Sequence, residues 1–331
     1  MSLASVHAGN VGLPLAQSAG FWFPDQASDV AAGHDFTFFL ILGVCAVFFF
    51  LITGASAWFV LKYRKRAGHK EQATSTHNTT LEIAWSAIPT VLLMVFFGVS
   101  TYWYWHMVNP PMNEKSLDVA VEGRKWKWWF EYKGEPFKSP ARVADLYVVK
   151  DTPVRLSMVS PDVIHSFFVP AFRVKQDVVP GRINRLWFKP TQVGTFRLYC
   201  TEYCGQDHSE MTAWVHVFET EAEMVQAVIK AADTKSIPPE ELGPRLYAEN
   251  CASCHSKDGK AGLGPTFKGL LGSQREFEGG TTATADEAYV RESLSDPKAK
   301  VVKGFNPVMP EFKQLQAHEV DALILYIKSL K

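Results

Sequence analysis

Cys200-Thr-Glu-Tyr-Cys204-Gly-Gln-Asp-His208-Ser-Glu-Met211 is the stretch on which the reading of this 331-residue chain turns. Its spacing is C-x3-C-x3-H-x2-M. A further imidazole stands upstream in Pro161-Asp-Val-Ile-His165-Ser. Thiolates, imidazoles and a thioether together favour copper. Two thiolates can bridge two copper ions, each ion taking one imidazole, with Met211 as a weak axial ligand on one of them. An electron shared over two bridged ions changes bond lengths little, which suits electron transfer better than bond chemistry. Two other chemistries fit the loop taken alone. Cys200 and Cys204 can form a disulfide in an oxidising compartment, or join His165 and His208 around zinc as a Cys2His2 site. The rest of the chain favours copper.

Around this loop, residues 116–218 carry short runs of β-branched and aromatic residues: Leu117–Val121, Leu146–Val149, Val154–Met158, Arg185–Phe188, Thr195–Tyr199 and Ala213–Phe218. Pro153, Pro180-Gly181, Pro190 and Gly194 punctuate them. The pattern predicts an antiparallel β sandwich or barrel, with the copper loop between two of its strands.

Further upstream, Phe36–Leu61 and Ile83–Asn113 contain no Asp, Glu, Lys or Arg. Crossing a bilayer core takes about 20 helical residues, so both runs are long enough to span. Buried core helices are the other reading, but uncharged runs this long are rare in soluble domains. Pro89 is expected to kink the second helix near its start. The connection begins Lys62-Tyr-Arg64-Lys65-Arg66, and no Lys or Arg precedes Lys62. The positive-inside rule therefore places the loop, about 62–80, in the cytoplasm and both ends of the hairpin outside. Trp103-Tyr-Trp105 closes the second helix like an interfacial aromatic belt. Residues 1–20 lack a basic n-region and fit an outer tail better than a cleaved signal peptide.

Downstream, Glu219–Ala232 reads as a charged helix. Thr234-Lys-Ser-Ile-Pro238-Pro239 reads as a linker. Cys251-Ala-Ser-Cys254-His255 is C-x-x-C-H, the attachment signature of c-type haem. Its thiols add to the haem vinyl groups and its His ligates iron. Residues 241–331 hold one Met, Met309, and one other His, His318, which sits in a polar helix start. Met309 is therefore the expected sixth ligand, and a His/Met pair raises the potential. Glu241–Asn250 and Ala322–Leu330 are expected as the first and closing helices. The whole chain has 34 basic and 34 acidic side chains, so it presents no strongly basic face and nucleic acid is not an expected partner.

Residues 36–218 resemble subunit II of cytochrome c oxidase. The resemblance is carried by the hairpin, Leu81-Glu-Ile-Ala-Trp-Ser-Ala-Ile-Pro89, Asp162-Val-Ile-His165-Ser, Val179-Pro-Gly-Arg182-Ile-Asn and the full copper loop. It implies a cupredoxin-like fold and a binuclear CuA centre ligated by His165, Cys200, Cys204, His208, Met211 and the backbone carbonyl of Glu202. The family's carboxylate at position 202 also helps hold a Mg2+ at the border with subunit I. Gly123-Arg-Lys-Trp126-Lys-Trp128-Trp129 matches the family's aromatic segment and makes Trp126 the implied electron-entry residue. On composition alone, that Trp is equally an aromatic sandwich edge. The family usually has Gln where this chain has Lys125. Glu82 corresponds to a Glu at the mouth of a proton pathway into subunit I; at a helix start it is also an ordinary dipole partner. Residues 241–331 resemble a class I cytochrome c domain, in which the Pro of Gly264-Pro265 offers its carbonyl to the ligating His.

The resemblance thus implies a membrane protein in five parts: an extracytoplasmic segment (1–35), a transmembrane hairpin (36–108), a CuA domain (109–218), a helix and linker (219–240) and an all-α cytochrome c domain (241–331). That order resembles the fused subunit II of a caa3-type oxidase in a bacterial inner membrane, with both cofactor domains on the periplasmic side. The implied path runs from an external cytochrome or respiratory complex to haem c, to CuA, and on to haem a in subunit I, where O2 is reduced with proton pumping. Subunit III and membrane lipid are further implied partners. No catalytic O2 site is expected in this chain. A subunit of a CuA-containing nitric oxide reductase shares the copper loop and stands as the alternative.

Overall fold

A computed structural model describes residues 20–68, 75–137 and 140–331. Two long helices, α1 (Ala31–Tyr63) and α2 (Thr79–Val108), form the hairpin. Their apolar side chains face outward: Phe50, Leu51, Val91 and Met94 are all exposed. The most apolar stretch of each helix is entirely unburied. Core helices of a soluble domain would hide that surface, whereas lipid-facing helices need not. α1 starts at Ala31, five residues ahead of the uncharged run, because its first turn packs on protein and Asp35 is tolerated there. At the start of α2, the Asn78 side chain accepts a bond from the Leu81 N–H at 3.1 Å. The Glu82 carboxylate accepts from the Asn78 N–H at 3.1 Å, which closes a cap. Part of the expected cytoplasmic loop (69–74) and most of the expected outer tail (1–19) lie outside the described residues.

The described part of the outer segment is woven into the β domain. The Ala27 N–H bonds the Ala171 carbonyl at 2.9 Å, and the Thr191 N–H bonds the Ala27 carbonyl at 2.9 Å. Arg173, reaching up from the β domain, chelates Asp35 through Nε and Nη2, both at 2.8 Å, in a buried bidentate pair.

The middle domain stacks two five-stranded sheets. Its strands are β1 (Leu117–Arg124), β2 (Lys127–Tyr132), β3 (Ala141–Val143), β4 (Leu146–Val149), β5 (Val154–Val159), β6 (His165–Val169), β7 (Val174–Val178), β8 (Asn184–Phe188), β9 (Gly194–Cys200) and β10 (Thr212–Phe218). The first sheet has the order β3-β2-β1-β5-β8 and the second β4-β10-β9-β6-β7. The expected all-antiparallel pairing is corrected at two ladders: β1–β5 and β10–β4 run parallel. Each joins strands distant in sequence, so no tight turn dictates their direction. Alternation along the strands points Val119, Val121, Trp128, Phe130, Phe167, Phe196, Leu198 and Val215 into one core between the sheets. α3 (Glu221–Ala232), opened by a Thr220–Glu223 capping box, adds Met224 and Val228 to that core.

After a short linker comes a helical domain: α4 (Pro239–Asn250), α5 (Glu287–Ser295) and α6 (Ala317–Ser329), with a small ribbon of β11 (Gln274–Glu276) and β12 (Thr282–Thr284). α4 and α6 cross closely at Gly243, where a Cβ would lie 2.4 Å from the Ala322 carbonyl oxygen. Leu242, Leu246, Phe267, Leu270, Leu323 and Ile327 form a second, separate core.

Candidate metal and cofactor sites

The first site lies at one end of the β4-β10-β9-β6-β7 sheet. Three adjacent strands bring the donors there. His165 opens β6, Cys200 closes β9, and Met211 immediately precedes β10. The Phe167–Cys200 pairing brings His165 alongside the cysteine loop. Cys204 and His208 hang on the loop between β9 and β10, with His208 beginning a single 3-10 turn.

The donor atoms converge. The two Sγ atoms are 3.8 Å apart, far beyond the roughly 2.05 Å of a disulfide. His165 Nδ1 lies 3.9 Å from Cys200 Sγ, and His208 Nδ1 lies 3.4 Å from Cys204 Sγ. Met211 Sδ is 3.8 Å from Cys204 Sγ, and the Glu202 carbonyl oxygen is 3.4 Å from Cys200 Sγ. His165 and Met211 are fully buried, and both thiols nearly so. Burial resists ionisation of either thiol. His165 beside Cys200 overcomes that and brings its pKa down, while a thiolate at Cys200 pushes Cys204 up. A cation between the sulfurs would relieve that repulsion. Two soft sulfurs, two imidazoles, a thioether and a carbonyl around one small space fit a dinuclear copper centre. A tetrahedral zinc site would leave the buried thioether and the inward-turned carbonyl without a role.

The supporting shell adds a residue that site reading from sequence did not single out. Asp162 accepts from His165 Nε2 at 2.9 Å, which fixes Nδ1 as the nitrogen turned to the thiols. Asp162 also accepts from the Val163 N–H at 2.7 Å and the Lys125 N–H at 2.8 Å. Burial works against its charge, yet the bonds from His165, Lys125 and Val163 hold its pKa at about 2. The D-x-x-H spacing was the available signal.

Trp126 occupies the β1–β2 turn rather than a sandwich edge. Its indole N–H donates to the Cys204 carbonyl at 3.2 Å. Gly205, at φ +122°, lies flat against the ring, where a Cβ would come within 3.0 Å. The Glu202 side chain is exposed. Glu82, half-buried, lies far off in the hairpin, with His77 Nδ1 at 3.6 Å in addition to its capping bond.

The second site is a largely apolar cavity of about 1060 Å3, open mouth included, in the helical domain. Cys251, Cys254, His255, Pro265 and Met309 all line it; His318 does not, and instead meets the linker's Thr234 hydroxyl at 3.0 Å. His255 Nδ1 donates to the Pro265 carbonyl at 2.7 Å, leaving Nε2 as the lone-pair nitrogen for a metal. Burial lowers the His255 pKa, keeping the ring neutral, although the bond to Pro265 works the other way. Phe267 stacks on the imidazole with centroids 4.5 Å apart. Gly264 backs it so closely that a Cβ would come within 2.5 Å of Cε1. An oriented neutral imidazole, a thioether and two thiols around an apolar crevice fit a covalently attached haem.

Three segments of the chain match known families. Residues 16–100 match the family model for the transmembrane domain of cytochrome c oxidase subunit II, residues 140–218 that for its periplasmic domain, and residues 240–331 that for cytochrome c. Cytochrome c oxidase subunit 2 of Alkalihalophilus pseudofirmus is 30% identical over 303 residues, covering 87% of this chain and 82% of that protein. The Cereibacter sphaeroides subunit 2 is 32% identical over 241 residues, covering 62% and 78%. A crystal structure of the periplasmic domain of subunit II (CoxB) of Bradyrhizobium japonicum covers 36% of this chain and 96% of that one, at 31% identity and a TM-score of 0.32. With a relative of that identity matched along most of both lengths, the chain belongs to the cytochrome c oxidase subunit II family, in a form that carries its own cytochrome c domain.

Proposed function

We propose that this chain is the electron-entry subunit of a caa3-type oxidase, taking electrons from an external cytochrome or respiratory complex through haem c and CuA and delivering them to haem a of subunit I for proton-coupled O2 reduction. The observation that carries the reading is the pairing, in one chain, of the Cys200–Cys204 cluster with the His255–Met309 crevice. When bound, the two centres supply one-electron redox chemistry. The chain's own residues hold them still. Burial of His165, Cys204 and Met211 keeps water off the copper donors, and Asp162 locks the His165 tautomer. Pro265 and Phe267 fix the His255 ring. Rigid ligands limit reorganisation and so favour rapid transfer.

Six donors are assigned to copper: His165, Cys200, the Glu202 carbonyl, Cys204, His208 and Met211. Haem c is assigned Cys251 and Cys254 as thioethers, His255 and Met309 as axial ligands, and Pro265 as the partner of His255. Trp126 is the bridge into the copper loop, supported by its bond to the Cys204 carbonyl. Glu202, with its exposed side chain, is free to help hold Mg2+ against subunit I. Glu82 is the proposed proton-path mouth, alongside the capping role its geometry already explains. The hairpin sits in the inner membrane with both cofactor domains on the periplasmic side, among lipid, subunit I and subunit III. The proposed boundaries remain those of the sequence, except that α3 goes with the copper domain.

The test is EPR of the full chain, matured with haem and loaded with copper. Hyperfine splitting from one electron shared equally over two coppers is expected. A silent copper region, with zinc by metal analysis or Cys200 joined to Cys204, would refute the assignment.

A further inference from the structure

The hairpin has four helix ends, and three of them carry their own tryptophan. Away from the copper domain, α1 has Trp58 and α2 has Trp85; on the copper-domain side, α2 has Trp103 and Trp105. The copper-domain end of α1, residues 31–39, has neither Trp nor Tyr. A tryptophan reaches that end from outside the helix. Gly20-Phe-Trp-Phe-Pro24, a stretch without charge, bends tightly: a Cβ on Gly20 would stand 2.7 Å from the Phe23 carbonyl oxygen. Phe23 turns inward, its ring 4.9 Å from Phe38 and 6.0 Å from Phe39 by centroids, with the Arg173 guanidinium 4.9 Å from its own centroid. Trp22 lies 6.0 Å from Phe38 yet stays 56% exposed, and Phe21, 5.1 Å from Trp22, is 92% exposed. The other side of this hook is fastened to the β domain and to α1. Arg173 donates from Nη2 to the Pro24 carbonyl at 2.8 Å, Gln26 from Nε2 to Asp35 at 2.8 Å, and Ser28 from Oγ to the Phe172 carbonyl at 2.7 Å.

We propose that Phe21-Trp22 is a lipid-interface anchor: a hook that dips into the bilayer leaflet on the copper-domain side and gives α1 the aromatic anchor its own sequence lacks. This rests on the reading of the hairpin as membrane-spanning. The level of the hook fits a bilayer. Trp22 lies against Phe38, and twenty residues separate Phe38 from Trp58. That is about 30 Å of helix, which matches a hydrocarbon core of about 30 Å. Trp85 and Trp105 on α2 are also twenty residues apart. Trp22 and Trp58 thus bracket the same apolar slab on α1 that Trp85 and Trp105 bracket on α2. Indole has an apolar body and one polar N–H, which suits the headgroup boundary. The exposed rings are continuous with the exposed Phe36 and Phe39 of the lipid-facing helix, so lipid is the occupant that covers both. The hook also sets a height. Ala27 and Asp29, a few residues on, bond to backbone of the β domain, so Phe21-Trp22 ties the copper domain to the membrane surface at a second point beside the hairpin.

The experiment is photolabelling of the full chain, within its purified oxidase complex, in phosphatidylcholine nanodiscs. Two probes are used: a phosphatidylcholine with a diazirine near the ester end of one acyl chain, and one with the diazirine at the chain end. Adducts are located by mass spectrometry. The ester-end probe should label the peptide that contains Phe21 and Trp22, and the chain-end probe should favour the middle of α1. The double variant Phe21→Ser, Trp22→Ser should lower labelling of the hook on the order of tenfold, the change that corresponds to losing roughly one buried aromatic side chain. Phe21→Leu, Trp22→Tyr should retain most of it. Labelling of α1 by the chain-end probe with no label on the hook from either probe would overturn the anchor and leave the membrane span standing. Stronger labelling of the hook by the chain-end probe would overturn its interfacial depth. If α1 itself takes no label, the membrane-spanning reading fails and the anchor falls with it.

Discussion

Gly264→Ala tests the haem crevice at its tightest point. The added Cβ would stand 2.5 Å from Cε1, 2.8 Å from Nδ1 and 3.0 Å from Nε2 of His255. Ordinary carbon contacts begin near 3.5 Å, so the ring must move by about 1 Å. It has nowhere to go without loss. Phe267 is stacked on it at 4.5 Å, and its Nδ1–H is tied to the Pro265 carbonyl at 2.7 Å. Overpacking of this kind costs about 1–3 kcal/mol, and loss of the imidazole–carbonyl bond about another 1 kcal/mol. The expected destabilisation of the C-terminal domain is thus about 2–4 kcal/mol. The axial imidazole should also lose its orientation and the basicity lent by the carbonyl. Denaturant unfolding of the haem-bearing chain, followed by the haem absorption band, measures the first effect, and potentiometric titration the second. An alanine variant with the parent's midpoint, spectrum and potential would refute the reasoning, because it would mean His255 is not held where the crevice needs it.

Arg173→Ala should loosen the seam between hairpin and copper domain. It strands the buried Asp35 carboxylate, and removing one partner of a buried pair costs about 3–5 kcal/mol. Hydrogen exchange at residues 27–31 should accelerate by on the order of 100- to 1000-fold; unchanged exchange there would show the pair to be dispensable. At high pH, the phenols of Tyr132 and Tyr147 should stay silent at the ultraviolet tyrosinate band until the β domain unfolds. Burial raises both pKa values, Tyr132 despite its bond with Tyr147 and Tyr147 with Asp145 adding to the effect. The sign follows: both phenols are protonated in either state below the ordinary tyrosine value near 10. Above it the unfolded chain alone releases protons, so stability falls as pH rises. Tyrosinate absorbance rising before unfolding would contradict the burial.

What the sequence disclosed divides along a physical line. The clusters of donor side chains were legible because metals and haem demand particular atoms at short spacings, as in Cys200–Met211 and Cys251–His255, and the fold brings those side chains together. The hairpin was legible because a bilayer demands length and the absence of charge. In the copper domain four strands went unrecognised, β2, β3, β6 and β7, and the β11–β12 ribbon corrects the all-α expectation for the C-terminal domain. β2 is all aromatic and charged, Lys127-Trp-Trp-Phe-Glu-Tyr132, and its alternation shows only once Trp128 and Phe130 are known to be buried. β7, Val174-Lys-Gln-Asp-Val178, carries three polar residues and relies on β6 for its pairing. The parallel ladders were illegible for a related reason: local pattern specifies which residues lie in strands, not which distant strand each one meets.

The same distinction explains why Asp162 escaped a site reading. It lies in no motif whose chemistry requires it, and it acquires meaning only through partners brought close by folding. For Asp162 the partner is the far nitrogen of His165, and the same carboxylate accepts from the backbone beside Trp126. One side chain therefore orients a proposed copper donor and anchors the turn that carries the proposed aromatic bridge. A change at Asp162 should disturb both the copper site and the approach to it, a coupling that no ligand motif expresses. Second-sphere residues of this kind commonly alter metal affinity by about 10–100-fold. The fold thus does for this chain what ligand spacing alone cannot: it ties the turn that carries Trp126 to the cluster of His165 and the two cysteines.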